Sequence, residues 1–102
     1  MELKQMKYFK TIVDEGTITQ AARVLHISQP PLSMQLKAIE EELNTTLIER
    51  GHRHITLTPA GHLFYRRCNQ MLNLYEQTSK EVLGAATQIL RFGITSSNGY
   101  LI

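Results

Sequence analysis

The chain has 102 residues, enough for one domain and thin for two. Hydrophobic residues make up 42% and charged residues 20%, the balance of a soluble globular protein, and the net charge of +2 does not by itself call for a polyanionic partner. The lone cysteine, Cys68, excludes an intrachain disulfide framework and suits a reducing cytoplasm.

No stretch approaches the roughly 20 apolar residues of a membrane span. The N-terminus has no apolar run that reads as a signal peptide, so a cytoplasmic location without membrane partners is expected. Charge distribution says more than net charge. Residues 50–75 hold four Arg and no Asp or Glu. A locally basic surface is what a polyanion recognises. The acidic run Glu40, Glu41 and Glu42 reads as a solvated face.

The first predicted helix covers residues 2–15. Leu3, Met6, Phe9 and Val13 recur at helical spacing, with Ile12 beside them, and Gly16 follows as a stop. A second covers 17–25, with Thr17 and Gln20 in a capping-box pattern. Ile18, Ala21, Ala22 and Leu25 form its apolar face, and the two alanines allow a close helix crossing. The third opens at Ser28 as N-cap, with Pro30 and Pro31 in the first turn. Leu32, Leu36, Ile39 and Leu43 form its stripe. Only His26 and Ile27 separate the second helix from that cap. Two strand-like pieces, 47–50 and 55–58, flank Gly51-His52-Arg53-His54 and predict a hairpin with a basic tip. Thr58-Pro59 starts a long helix over 59–89.

In that helix Phe64, Cys68, Met71, Tyr75, Thr78, Val82, Ala85 and Ile89 keep a heptad seam over 26 residues. Such a stripe outruns the small domain before it, and a second copy of the chain is the simplest thing to cover it. Residues 90–97 look like a strand running into a polar loop.

Two short helices joined by a tight turn form a helix-turn-helix pattern. The second helix of such a pair fits the DNA major groove, where its first residues touch base edges. Ser28, Gln29 and Ser33 can hydrogen-bond there, Gln29 bidentately with adenine. Pro30 and Pro31 offer apolar contact to a thymine methyl group. Exposed N–H groups at the helix start would favour a nearby phosphate. A basic hairpin after this helix is a wing, with Arg53 at its tip placed for a minor groove or a phosphate.

The run Ala21-Ala22-Arg23-Val24-Leu25-His26-Ile27-Ser28-Gln29-Pro30-Pro31-Leu32-Ser33 is followed by Leu36, Ile39-Glu40, Leu43, Leu47, Glu49-Arg50 and Leu57-Thr58-Pro59-Ala60-Gly61. Together these closely resemble the LysR-type transcriptional regulator family across nearly the whole chain. The resemblance implies a mainly α fold: a winged helix-turn-helix with a short β-hairpin wing over 1–58, and a long C-terminal dimerisation helix over 59–89. Residues 90–102 would begin an effector-binding domain. It implies base contacts from Gln29, Pro30, Pro31, Ser33 and Met34, and a minor-groove role for Arg53. Thr17, Thr19, Ser28, Lys37, Arg50 and Thr58 would meet the DNA backbone.

The resemblance also implies dimers or tetramers whose linker helices pair antiparallel through Phe64, Cys68, Met71, Tyr75, Val82 and Ile89. Double-stranded DNA and RNA polymerase are the partners of such a regulator. No cofactor is expected in this fragment. A small-molecule inducer would bind a C-terminal domain with a periplasmic-binding-protein-like fold, whose ligand loop Thr95, Ser96 and Ser97 would join. Four positions depart from the family pattern. Asn44 stands where Gly is usual and also tolerates a left-handed backbone. Ile48 replaces Phe, Met34 a polar or basic residue, and His52 an Arg.

An enzyme is not expected, since no Gly-rich phosphate loop and no nucleophile-base-acid spacing is present. His52, His54, His62 and Cys68 fit no zinc spacing. A redox role for Cys68 would need exposure and a lowered pKa. The alternative function is a helical dimeric protein-interaction module without DNA binding, which has no need of a basic tip beside Ser28-Gln29-Pro30.

Overall fold

In this computed structural model the backbone is described for residues 1–92 and the side chains for residues 1–87. Two compact units follow one another, Met1–Leu72 and a second that starts at Asn73.

Helix α1, Leu3–Glu15, begins where Glu2 N–H donates to Gln5 Oε1 at 3.0 Å, and ends at Gly16 with φ 83°. Helix α2, Ile18–Leu25, is capped by Thr17, whose hydroxyl accepts from Gln20 N–H at 3.1 Å. The return half of the predicted capping box is replaced, because Gln20 Oε1 accepts from Arg23. Ala21 and Ala22 are buried, and α1 and α2 pack closely over them. The turn into α3, Gln29–Leu43, is made by His26 at φ 58°. Asn44 closes α3 at φ 50° and ψ 43°, the left-handed conformation expected from its place in the sequence.

Ser28 precedes α3 as predicted but makes no side-chain capping bond. Its neighbours explain this. An N-cap hydroxyl accepts from the N–H of the second or third helical residue, and those residues are Pro30 and Pro31, which have none.

The core gathers Phe9 and Ile12 from α1, Ala21 and Ala22 from α2, and Leu32, Leu36 and Ile39 from α3. Leu47, Ile48 and Cys68 complete it. The Phe64 ring meets Phe9 edge-on at 4.8 Å between centroids. Asp14, which accepts from Lys10 within α1, also accepts from the Tyr65 hydroxyl and so ties α1 to the long C-terminal helix. Burial pushes its carboxyl up, but those two donors together outweigh burial and hold it below the ordinary value.

Glu40 corrects the reading of the acidic run as a solvated face. Its Oε2 accepts from Leu47 N–H at 2.8 Å and from Ile48 N–H at 3.3 Å, and Oε1 lies 3.4 Å from Arg50 Nη2. The side chain is only 11% exposed. Glu40 thus fixes the chain as it leaves α3, at the root of the expected wing.

The wing is a shorter ladder than the predicted hairpin. One antiparallel bridge joins Ile48 and Leu57. Around it Glu49 N–H donates to Thr56 at 2.8 Å and Thr58 N–H to Leu47 at 3.0 Å. In this register Ile55 N–H faces away from the outgoing arm, and it donates to the Gly16 carbonyl at 2.7 Å. The return arm is thereby tied to the α1–α2 turn.

Thr58 caps α4, Pro59–Phe92, accepting from Gly61 N–H at 3.0 Å. The helix passes its predicted end, so Leu90, Arg91 and Phe92 are helical rather than the start of a strand. A helix satisfies its own backbone, whereas a strand here would need a partner. Thr95, Ser96 and Ser97 lie outside the described residues.

Gly61 is where this helix meets the chain leaving α3. A Cβ there would fall 2.0 Å from the Leu47 carbonyl oxygen, whereas one on Gly84 meets nothing within 4 Å. Gly61→Ala should therefore destabilise the chain by about 1–3 kcal/mol. Gly84→Ala should leave stability unchanged or raise it by up to about 1 kcal/mol. Urea unfolding of the two variants compares them, and equal midpoints would refute the close contact at Leu47.

Cys68 is fully buried, and that burial pushes its thiol up to about 11. Native protein at neutral pH should alkylate slowly, and denatured protein promptly. Rapid native labelling would mean that α4 leaves the core.

Candidate nucleic-acid interface

Along α3 the polar residues Gln29, Ser33 and Lys37 step by four and share one face. Pro30 and Met34 form an adjoining stripe. Gln29, Pro30, Pro31, Met34 and Lys37 are exposed and Ser33 is half-buried, while Leu32, Leu36 and Ile39 on the other side fill the core. Burial of one stripe thus determines which residues face outward. Met34 is 70% exposed, a large apolar side chain held out into solvent.

A shallow cleft of about 350 Å³ collects the other candidates. Thr17, Thr19 and Gln29 lie on one side, and Arg50, Arg53 and the histidines beside Arg53 on the other. Two tethers bring these walls together: Glu40 on the outgoing chain and the Gly16 carbonyl on the returning one. His52 Nε2 lies 3.3 Å from Glu49. Arg50, 73% exposed, also borders a second hollow with Lys37, where Glu40 and Glu41 lie beside the two cations.

Hydroxyl protons distinguish the threonines expected to meet the DNA backbone. Each hydroxyl has one proton to give. Thr58 gives its proton to the Thr46 carbonyl at 2.7 Å, so its side chain is a structural cap and not a donor toward phosphate. Thr19 gives its proton to Gln29 Oε1 at 3.2 Å. Thr17 only accepts in its capping bond, and its proton stays available. The start of α3 offers fewer backbone donors than the sequence reading supposed, because Pro30 and Pro31 occupy positions whose N–H would otherwise face an anion.

The expected dimer seam divides. Cys68 is fully buried and Phe64 packs against Phe9, so both contribute to the core of their own unit. Met71, Tyr75 and Val82 are exposed, as are Leu74 and Leu83 beside them. In the second unit Tyr75, Thr78, Val82, Leu83 and Ala86 line a largely apolar hollow. The Ile89 side chain lies outside the described residues.

Sequence reasoning missed two participants. Glu40 carried a signal, since it stands four residues after Leu36, beside the apolar stripe. The bond from Ile55 to Gly16 is between backbone atoms and left no trace in side-chain type. Among the described residues no three His, Cys, Asp or Glu side chains gather as a metal site, and no helix is long and apolar enough to cross a membrane.

The family model described as bacterial regulatory helix-turn-helix protein, lysR family, matches residues 3–62. The HTH-type transcriptional regulator TcbR of Pseudomonas sp. (strain P51) is 41% identical over 86 residues, covering 84% of this chain and 29% of that protein. BenM of Acinetobacter baylyi (strain ATCC 33305 / BD413 / ADP1) is 38% identical over 99 residues, covering 95% of this chain and 33% of that protein. The crystal structure of the BenM_DBD/catB site 1 DNA complex superposes with a TM-score of 0.84 at 41% identity, covering 86% of this chain and 95% of that one. The chain thus spans about a third of the length of these two regulators. These relatives are transcriptional regulators and not enzymes. The match runs from α1 through α3 and the loop after it to the start of α4, and the chain belongs to the LysR family of bacterial helix-turn-helix regulators.

Proposed function

We propose that the chain is the DNA-reading end of a transcription regulator that binds a specific duplex site as a homodimer. The α3 residues Gln29, Pro30, Pro31, Ser33 and Met34 enter the major groove, and Arg53 reaches the adjacent minor groove. Thr17, Ser28, Lys37 and Arg50 contact phosphates on either side. The observation that carries this reading is the single cleft lined by both Gln29 and Arg53. One duplex face can meet both residues at once only if they lie side by side. The superposable BenM domain, a DNA complex, supports the same reading.

Ser28 fits because its hydroxyl makes no capping bond. Met34 supplies an apolar contact suited to a thymine methyl group. The whole regulator works in the cytoplasm, takes a small-molecule inducer in a C-terminal domain that begins near residue 90, and acts on RNA polymerase. Full-length chains assemble as dimers or tetramers.

Binding to duplex DNA should weaken steeply as salt rises, because Lys and Arg displace counterions from phosphates. Lys37→Ala should weaken all duplexes alike and flatten the salt slope by about one per phosphate lost. Gln29→Ala should relax preference at one base pair per half-site, a loss of about 1–3 kcal/mol of discrimination. Arg53→Ala should weaken A·T-rich flanks most, since narrow minor grooves attract Arg. Fluorescence anisotropy with duplexes of varied sequence separates these effects. A salt-independent affinity would return the chain to the class of protein-interaction modules.

Dimerisation is proposed through the exposed part of α4, by antiparallel pairing around Met71, Tyr75 and Val82. Replacing Met71 and Val82 with Asp should give monomers in sedimentation without unfolding the first unit. A dimer that survives both changes would exclude this stripe as the interface.

A further inference from the structure

We infer that Thr19 is a specificity-positioning residue whose hydroxyl orients the Gln29 amide, and not a phosphate contact. The inference rests on the reading of Gln29 as a base-contacting residue. Thr19 Oγ1 donates to Gln29 Oε1 at 3.2 Å, from the first turn of α2 to the first residue of α3. A hydroxyl has a single proton, and a phosphate oxygen at neutral pH only accepts. While that proton lies on Gln29 it cannot also serve a phosphate.

The consequence for base reading follows from the amide's two ends. Holding Oε1 toward Thr19 leaves Nε2 with both hydrogens to give. In the major groove guanine presents N7 and O6 as acceptors, adenine N7, and thymine O4, whereas cytosine presents only its N4 amino donor. An amide held this way favours acceptor-bearing bases and disfavours cytosine. The second lone pair of Oε1 stays open to an amino donor, so adenine can take both a bond from Nε2 to N7 and one from N6 to Oε1, whereas cytosine has no acceptor for Nε2 and gains only the second. Gln29 is exposed, so without Thr19 its amide is free to turn over and offer Oε1 to cytosine. Thr19 therefore selects which end of Gln29 the DNA meets, although it touches no base itself.

The test selects bound duplexes from a randomised library with the 102-residue chain. The original sequence, Gln29→Ala, Thr19→Val and Thr19→Ser are compared. The position at which Gln29→Ala loses its preference identifies the base pair that Gln29 reads. At that pair Thr19→Val should lose discrimination against cytosine by about two- to tenfold, the worth of one ordinary hydrogen bond. Thr19→Ser should retain it, and preferences elsewhere should not move. Thr19 is exposed, so valine fits without repacking, and matched thermal melts check this. Uniform weakening by Thr19→Val with base preferences intact would overturn the inference and restore a phosphate role. If Gln29→Ala itself alters no preference, base reading by Gln29 fails, and the positioning role falls with it.

Discussion

The loop that carries Arg53 has almost no structure of its own. One bridge between Ile48 and Leu57 does not define a wing, and an isolated hairpin is marginal in water. Two hydrogen-bonded tethers from outside the loop fix its place. Glu40 holds the outgoing chain by the N–H groups of Leu47 and Ile48, and the Gly16 carbonyl holds the returning chain by Ile55 N–H. Both lie within the helix-turn-helix: Glu40 in α3, Gly16 at the turn before α2. The loop is therefore indexed to α3 and not to its own ladder. That is what sets Arg53 and Gln29 on the walls of one cleft.

A second constraint is the scarcity of donors at the start of α3. Pro30 and Pro31 preorganise the first turn but remove two N–H groups that would cap to Ser28 or attract a phosphate. The helix end thereby becomes less attractive to anions and more apolar. The polar work shifts to side chains, and hydroxyl protons become the quantity to follow. Thr58 directs its proton inward to Thr46, and Thr19 directs its proton to Gln29. Thr17 retains its proton. Three threonines that look equivalent in sequence thus occupy three different chemical situations.

Much of this fold is legible from side-chain type alone. The stripes of α1, α2 and α3, the stop at Gly16 and the left-handed Asn44 follow from apolar spacing and backbone tolerance. Helix existence is encoded locally, and so is the outward face of α3, since what is not buried must face solvent. The weaker expectations were those that depended on distant partners. The return arm is held by a backbone bond from Ile55 to Gly16, and no residue type announces such a bond. Glu40, Glu41 and Glu42 read alike as a solvated face, yet Glu40 lies over the chain leaving α3 and accepts from Leu47 and Ile48 N–H. Leu90, Arg91 and Phe92 have strand-like composition but continue a helix whose hydrogen bonds need no second segment.

The long helix shows how one periodic stripe can serve two tasks. Phe64 and Cys68 stand in register with Met71, Tyr75 and Val82, and a heptad count treats all five alike. Burial does not. The first two are turned into the core beside Phe9, while the later ones are exposed. Periodicity reports that a face is apolar, but whether that face meets its own domain or another surface depends on how far the domain extends. Here the small helical head has ended by residue 72, and α4 continues for another twenty residues, with Tyr75 and Val82 of its stripe exposed. Substitutions at Phe64 and Cys68 act on folding of the head, and those at Met71, Tyr75 and Val82 act on whatever covers the stripe. The same spacing therefore separates stability from association by position along a single helix.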